Sequence, residues 1–300
     1  MQKSLFDKKP RRSAQRKLTQ PIKWHGGKRY LADWLISLMP PHLTYVEPFF
    51  GGGSVLLTRD PSRNWLEGHP IWNGSSAQQG CSEVANDMNG DLFNFWRVLQ
   101  SEQRFAKFRR IVEAIPFAGP EFDSAMKGER GTDSVSRAVD FFVIARQSMS
   151  GRLNCFAPFT RNRTRGRRNE QANAWWNCIE GLQAVHQRLQ GIAFYNDPAV
   201  DVIRRLDGPV TLFYLDPPYV HTTRATTGEY GNFEMDENAH RELLEALVDL
   251  RGKFLLSGYH CQLYDEWAAQ HGWTCHERKI DNKASPAKSK EVKIECAWCN

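Results

Sequence analysis

Apolar residues recur along this chain with two different periods. Between about 88 and 150 the spacing is helical: Leu92, Phe93, Phe95, Trp96 and Leu99 form one set, and Ala138, Phe141, Phe142 and Ala145 another. After about residue 190 short β-like runs alternate with helices. The run 210–215 is apolar apart from Thr211 and flanked by Pro209 and Pro217, as expected of a strand buried on both faces. Residues 238–250 have the spacing of an amphipathic helix, and 253–257 that of the next strand. Further short strands are expected at 44–46, 83–86 and 193–195. Strand, helix, strand predicts an α/β layer with a parallel sheet. No internal repeat is visible.

The polar segments divide this pattern. Residues 1–20 carry Lys3, Lys8, Lys9, Arg11, Arg12, Arg16 and Lys17 against Asp7, without apolar periodicity, and read as a flexible basic arm. Order is expected from near Pro21. Gly, Ser, Asn and Gln cluster at 61–82, which reads as a surface loop between two folded segments. The stretch 151–170 reads as loop, with Arg152, Arg161, Arg163, Arg165, Arg167 and Arg168 and no acid before Glu170. One α/β unit, 21–100 and 190–300, is thus split by a helical, Arg-rich insert over 101–189.

Composition narrows the class. At 300 residues, 41% hydrophobic and 25% charged, the chain can bury a core without disulfides or metals, which excludes collagen-like, wholly disordered and disulfide-scaffold proteins. The net charge of +6 is a mild basic excess whose location matters more than its size. Seven cysteines at irregular spacing read as reduced thiols. Cys296-x-x-Cys299 has no second pair, so no metal site is expected there. No apolar run approaches a membrane span, and the first twenty residues have no secretory h-region. A cytoplasmic protein is the expectation.

Three places carry candidate chemistry. Thr44 to Val55 reads as a strand, then Glu47-Pro48-Phe49-Phe50-Gly51-Gly52-Gly53, then the start of a helix. A glycine-rich strand-to-helix turn lets the backbone approach a nucleotide-like ligand. It is neither a phosphate loop nor a good Gly-x-Gly-x-x-Gly match. Glu47 suits a ligand with hydroxyls or positive charge. Glu83 to Asn89 reads as a second strand ending at Asp87, placed either to accept ribose hydroxyls or to cap the next helix. Leu212 to Tyr219 runs from an apolar strand into Asp216-Pro217-Pro218-Tyr219. The two prolines fix the backbone, so that a carboxylate, rigid carbonyls and an aromatic ring converge. Such a pincer suits a planar amine such as a nucleobase.

Taken in order, Trp24-x-Gly-Gly-Lys28, Glu47-Pro-Phe-x-Gly-Gly-Gly-Ser-Val55, Ala85-Asn-Asp87-x-Asn89 and Asp216-Pro-Pro-Tyr219 resemble the motifs of Dam-type DNA adenine-N6 methyltransferases. The resemblance runs from about 21 to 300 and includes the closing stretch from Glu295 to Asn300. It implies a Rossmann-like α/β sheet with an inserted, mainly helical target-recognition domain. It implies S-adenosyl-L-methionine as cofactor, contacted by Trp24 and Lys28. The loop of Glu47, Pro48, Phe49, Gly51 and Gly53 would cradle its methionine end, Asp87 its ribose, and Asp197 its adenine amino group. Asp216 would border both cofactor and target amine, and Tyr219 would stack on the base. The target atom lies inside double-stranded DNA, so the base must be flipped out.

The insert would then hold DNA. Arg146, Ser148, Arg152 and Asn154, followed by 156–159, resemble the family's target-recognition hairpin. The segment departs from the best-known adenine members at Ala145 and Ser150, where those carry Asn, so their recognition sequence does not transfer. Arg161, Arg163, Arg165, Arg167 and Arg168 could neutralise phosphates without reading sequence. A monomer is expected. Cytosine-N4 methylation, for which Ser in place of Asp216 is usual, is the competing reaction. Methylation of a glutamine amide or RNA is disfavoured because Asn would be expected at 216. A non-catalytic DNA-binding protein and a dinucleotide oxidoreductase are the readings from other classes.

Overall fold

The computed structural model describes residues 18–71, 74, 80–157, 164–165, 168–223, 231–281 and 292–300. Its strands are β1 (Thr44–Glu47), β2 (Ser82–Asn86), β3 (Thr164–Arg165), β4 (Arg168–Asn169), β5 (Ile192–Tyr195), β6 (Thr211–Leu215), β7 (Lys253–Gly258), β8 (Thr274–Asp281) and β9 (Val292–Cys299). Its helices are α1 (Ala32–Leu38), α2 (Ser54–Thr58), α3 (Gly90–Gln100), α4 (Glu102–Ala114), α5 (Gly119–Lys127), α6 (Ser134–Gln147), α7 (Glu170–Leu189), α8 (Ala199–Leu206), α9 (Glu237–Val248) and α10 (Gln262–His271).

Seven strands form one sheet in the order β5-β2-β1-β6-β7-β9-β8. The first five in that order pair in parallel, whereas β9 is antiparallel to both β7 and β8. The sheet is therefore mixed, a correction to the parallel sheet expected. The reason is local: the interval 282–291 is shorter than the dozen or more residues a parallel crossover needs, so β8 and β9 pair as a hairpin.

Side chains alternate between two cores, as the strand period of two requires. Tyr45, Leu212 and Tyr214 join Phe95, Trp96, Phe142 and Trp175 on one face, continuous with α3, α4, α6 and α7. Val46, Phe213 and Leu215 join Leu243, Leu247 and Phe254 on the other, under α8, α9 and α10. Because both faces are covered, β6 is buried at every residue, which accounts for the apolar run from Leu212 to Leu215. Side-chain caps start α3, α6 and α7: Asn89 accepts from the Asp91 and Leu92 amides, Asp133 from Val135 and Ser136, and Asn169 from Gln171 and Ala172.

Two loops differ from expectation. The described part of 61–82 is anchored in the core, with Trp65 and Leu66 buried and the Trp65 carbonyl accepting from the His42 amide at 2.7 Å. The Arg59 guanidinium stacks over Tyr45 and Trp65, at 3.6 and 4.2 Å from the ring centroids. It also donates to His42 Nε2 at 2.8 Å, while His42 Nδ1 donates to the Pro40 carbonyl. Within 151–170 the short antiparallel pair β3–β4 interrupts the loop. No described helix is long and apolar enough to cross a membrane.

The sheet order creates the crevice. From β1 the chain moves to β2 on one side, and from β5 it returns to β6 on the other side of β1. At such a switch point the connections leave the strand ends in opposite directions, and a ligand fits between them.

Candidate active site

The three chemical segments lie at the carboxyl ends of β1, β2 and β6. These strands are parallel neighbours, with Val46 opposite both Val84 and Phe213, so the segments following them emerge at one edge. A cavity of about 410 Å³ opens there. Trp24, Phe49, Gly51 and Asp87 line it together with Asp216 and Pro218. Pro198 and Val200, after β5, and Leu153, Phe233 and Met235 add an apolar wall.

The glycine loop is held from below. Gly51 has φ +50, and a Cβ there would stand 2.8 Å from Trp24 Nε1, so only glycine lets the indole close on the turn. Gly53 has φ +67 and would drive a Cβ to 2.5 Å from the Phe50 ring. The Gly51 amide donates to Asp87 Oδ2 at 2.8 Å and the Asn89 amide to Oδ1 at 2.9 Å. Burial raises the Asp87 pKa to about 6, against the lowering effect of these two bonds. Beside it, Asn86 clamps two loops, donating to the carbonyls of Pro48 and Asp197 and accepting from the Asp197 amide.

Around the Asp-Pro-Pro-Tyr turn Lys28 faces two acids. Lys28 Nζ lies 2.9 Å from Asp216 Oδ1, 3.7 Å from Glu295 Oε1 and 4.6 Å from the Tyr219 ring centroid. It also donates to the Gly26 carbonyl, and its amide donates to Ser54 Oγ at the start of α2. Burial raises the pKa of Asp216 and Glu295, and the Lys28 charge opposes both shifts. The Tyr219 hydroxyl donates to Glu295, and its ring meets Tyr259 edge-on at 4.9 Å. A carboxylate beside a fixed ring and open to the cavity can accept hydrogen bonds from an amine.

Some anticipated residues sit elsewhere. Lys28 is paired with Asp216 and does not line the cavity wall. Glu47 is 2% exposed, takes a hydrogen bond from Tyr45, and is pushed by burial up to about 8. The Asp197 carboxylate pairs with Arg205 at 2.6 Å outside the cavity wall. Ser148 is fully buried, its hydroxyl turned to the Ala145 carbonyl, and bridges to Phe156. Arg146 donates to the Ala174 carbonyl. Arg152 and Asn154 are exposed. Arg165 and Arg168 are opposite each other in β3–β4; Arg161, Arg163 and Arg167 lie outside the described residues, as do positions 1–17 of the basic arm.

Glu295 was missed as a site residue. Its signal was a lone acid in the apolar strand of Ile294, Cys296, Ala297 and Trp298, where only a buried partner offsets the cost of a charge. The wall residues Leu153, Phe233 and Met235 carry no local signal, since their arrival at the cavity depends on loop paths.

Comparison with known proteins agrees with this geometry. Residues 24–282 match the family described as D12 class N6 adenine-specific DNA methyltransferase. The chain is 26% identical over 256 residues to the DNA adenine methylase of Escherichia coli (strain K12), across 82% of each chain. It is 27% identical over 261 residues to the DNA adenine methylase of Salmonella typhi, again across 82% of each. It is 30% identical over 241 residues to the DNA N-6-adenine-methyltransferase of Escherichia phage P1, across 76% of this chain and 28% of that one. The doubly wound sheet, its switch-point cavity and the match across most of the length agree: this chain is an enzyme of the D12 class of N6 adenine-specific DNA methyltransferases.

Proposed function

We propose that the enzyme transfers the methyl group of S-adenosyl-L-methionine to N6 of an adenine flipped out of double-stranded DNA, with Asp216 and the Pro217 carbonyl as acceptors for the amine. The observation that carries this reading is the single cavity bounded by both Asp87 and Asp216.

The residues fit the cofactor. Asp87 spends one hydrogen bond per oxygen on the backbone and keeps lone pairs for two vicinal hydroxyls. Pro198 and Val200 offer an apolar slot to a purine, and Trp24 with Gly51 bounds the chain beyond the ribose. Asp197 is assigned no contact with the purine, because its carboxylate is taken by Arg205. Bound there, the cofactor supplies an electrophilic methyl on a sulfonium centre.

Adenine N6 is a poor nucleophile because its lone pair is delocalised into the ring. Two acceptors on its hydrogens favour a pyramidal nitrogen with the lone pair directed away from them. Asp216 supplies the first and the Pro217 carbonyl, locked by Pro218, the second. Lys28 opposes the effect of burial on Asp216 and so favours its ionised, accepting form. Tyr219 is fixed through its hydroxyl by Glu295, with Lys28 Nζ over its ring; it does not line the cavity, and it is assigned to the base as a ring at the cavity's edge. As the N–C bond formed and the methyl's bond to sulfur broke, leaving a neutral thioether, the nitrogen would become acidic and its proton would pass by way of Asp216 to solvent. Positioning and electrostatics account for the rate, and no strong base is needed.

Residues 21–100 and 190–300 make the catalytic unit, and 101–189 carry target recognition. Exposed Arg152 and Asn154 are assigned to the bases, and the arginines of 161–168 to the phosphates. The enzyme is assigned to the cytoplasm as a monomer. The test is transfer of labelled methyl to duplex DNA followed by nucleoside analysis. N6-methyladenine is expected, lost in Asp216→Ala while the cofactor still binds. N4-methylcytosine as the product refutes the assignment of the base.

A further inference from the structure

On the face of the β8–β9 hairpin away from Glu295, three soft or borderline donors converge. One ligand atom each of His260, Cys275 and Cys296 lies within 4.8 Å of the other two. Their placement follows from pairing. Glu277 is directly opposite Cys296, and Cys275 opposite Trp298, so Cys275, Glu277 and Cys296 share one face of the ribbon. Gly258 at the end of β7 is paired with Cys296 from the other side, and His260 follows two residues later. The His260 ring has Nδ1 2.9 Å from Asp265 Oδ1 and Nε2 3.2 Å from Glu277 Oε1.

We propose that His260, Cys275 and Cys296, completed by Glu277, bind one thiophilic divalent cation of the zinc class. Two thiolates, an imidazole and a carboxylate make a tetrahedral N/S/O donor set of the kind zinc accepts. Zn–S near ~2.3 Å and Zn–N near ~2.0 Å place donors roughly 3.3–3.8 Å apart, so small torsions bring His260, Cys275 and Cys296 together, and Glu277 must turn from His260 Nε2 to complete the set. Asp265 accepts from Nδ1–H and fixes the ring orientation, while Nε2, which faces Glu277, exchanges its proton for the metal. On binding, Cys275 and Cys296 each give up a thiol proton, and His260 its Nε2 proton, to solvent. The ion would clip the hairpin to the end of β7, one residue along β9 from Glu295. The site draws on neither cysteine spacing nor Cys299, whose side chain faces the opposite side of β9 from Cys296.

The test uses the full chain, fully reduced and stripped with chelator, titrated with Co(II) and then Zn(II). One equivalent of Co(II) is expected to produce thiolate-to-metal charge-transfer absorption and the intense visible bands of a tetrahedral ion. Zn(II) should bleach both, and about three protons should be released per ion, two from the thiols and one from His260. Cys275→Ala and His260→Ala should weaken binding at least ~10–100-fold, while Cys299→Ala should leave it unchanged. His260 is exposed, so its variant reports on binding even if loss of buried Cys296 disturbs folding. Absence of tetrahedral bands, their survival in Cys275→Ala, or their loss in Cys299→Ala overturns the proposal.

Discussion

Lys28 Nζ stands 2.9 Å from Asp216 Oδ1, joining the motif before α1 to the turn after β6. Both groups are largely buried, and Glu295 shares the same cation at 3.7 Å. In Lys28→Met two acids lose their counter-charge and protonate more readily. Loss of an adjacent opposite charge raises a carboxyl by about 1–3 pK units. Since the ionised form of Asp216 is the acceptor, kcat should fall about 10–100-fold near pH 7 and recover as pH rises. A pH–rate profile checks this; a uniform loss at every pH would contradict the role assigned to Lys28.

Asp87 provides a second pH signature. Its carboxyl is raised to about 6, and only the ionised form accepts from both ribose hydroxyls. Affinity for S-adenosyl-L-methionine should therefore weaken about tenfold between pH 7.5 and pH 5. In Asp87→Asn affinity should be lower at pH 7.5 and nearly flat across that range. Calorimetric titration at several pH values measures both.

Stability should fall in acid because of His42. Burial and the Arg59 charge depress its pKa to about 3, from an unfolded value near 6.5. Below 6.5 the unfolded chain binds a proton that the folded chain refuses, so this contribution is complete above 6.5 and is lost as pH falls toward 3. The slope approaches about 1.4 kcal/mol per pH unit. Urea unfolding at pH 7.5 and 5 should show a loss of roughly 2 kcal/mol attributable to this site. The loss should be absent in His42→Gln.

Gly51→Ala should disable the cofactor side without touching Asp216. The new methyl would meet the Trp24 indole at 2.8 Å on a backbone of φ +50. Relief requires moving the indole from the cavity wall or the amide from Asp87. Left-handed strain costs about 1–2 kcal/mol, and the cofactor Kd should rise at least tenfold. Thermal denaturation and binding isotherms separate the two effects.

Much of this protein was determined by local order in its chain. The apolar run before Asp216, the glycine turn after Glu47 and the acid after Asn86 each announced a strand end bearing chemistry. Period and turn chemistry act over a few residues, so they are visible without the fold, and the split of the sheet by a helical stretch was visible in the same way. What tertiary structure alone decided was partnership. The direction of β9 followed from hairpin closure, and its lone acid became the anchor of Tyr219 because β9 packs beside β7. Lys28 turned to Asp216, Asp197 to Arg205, and Ser148 into the core. Each of these side chains belongs to a motif readable in one dimension, but the charge or carbonyl it meets arrives from elsewhere in the chain. Electrostatic pairing depends on distance in space, which residue spacing does not encode.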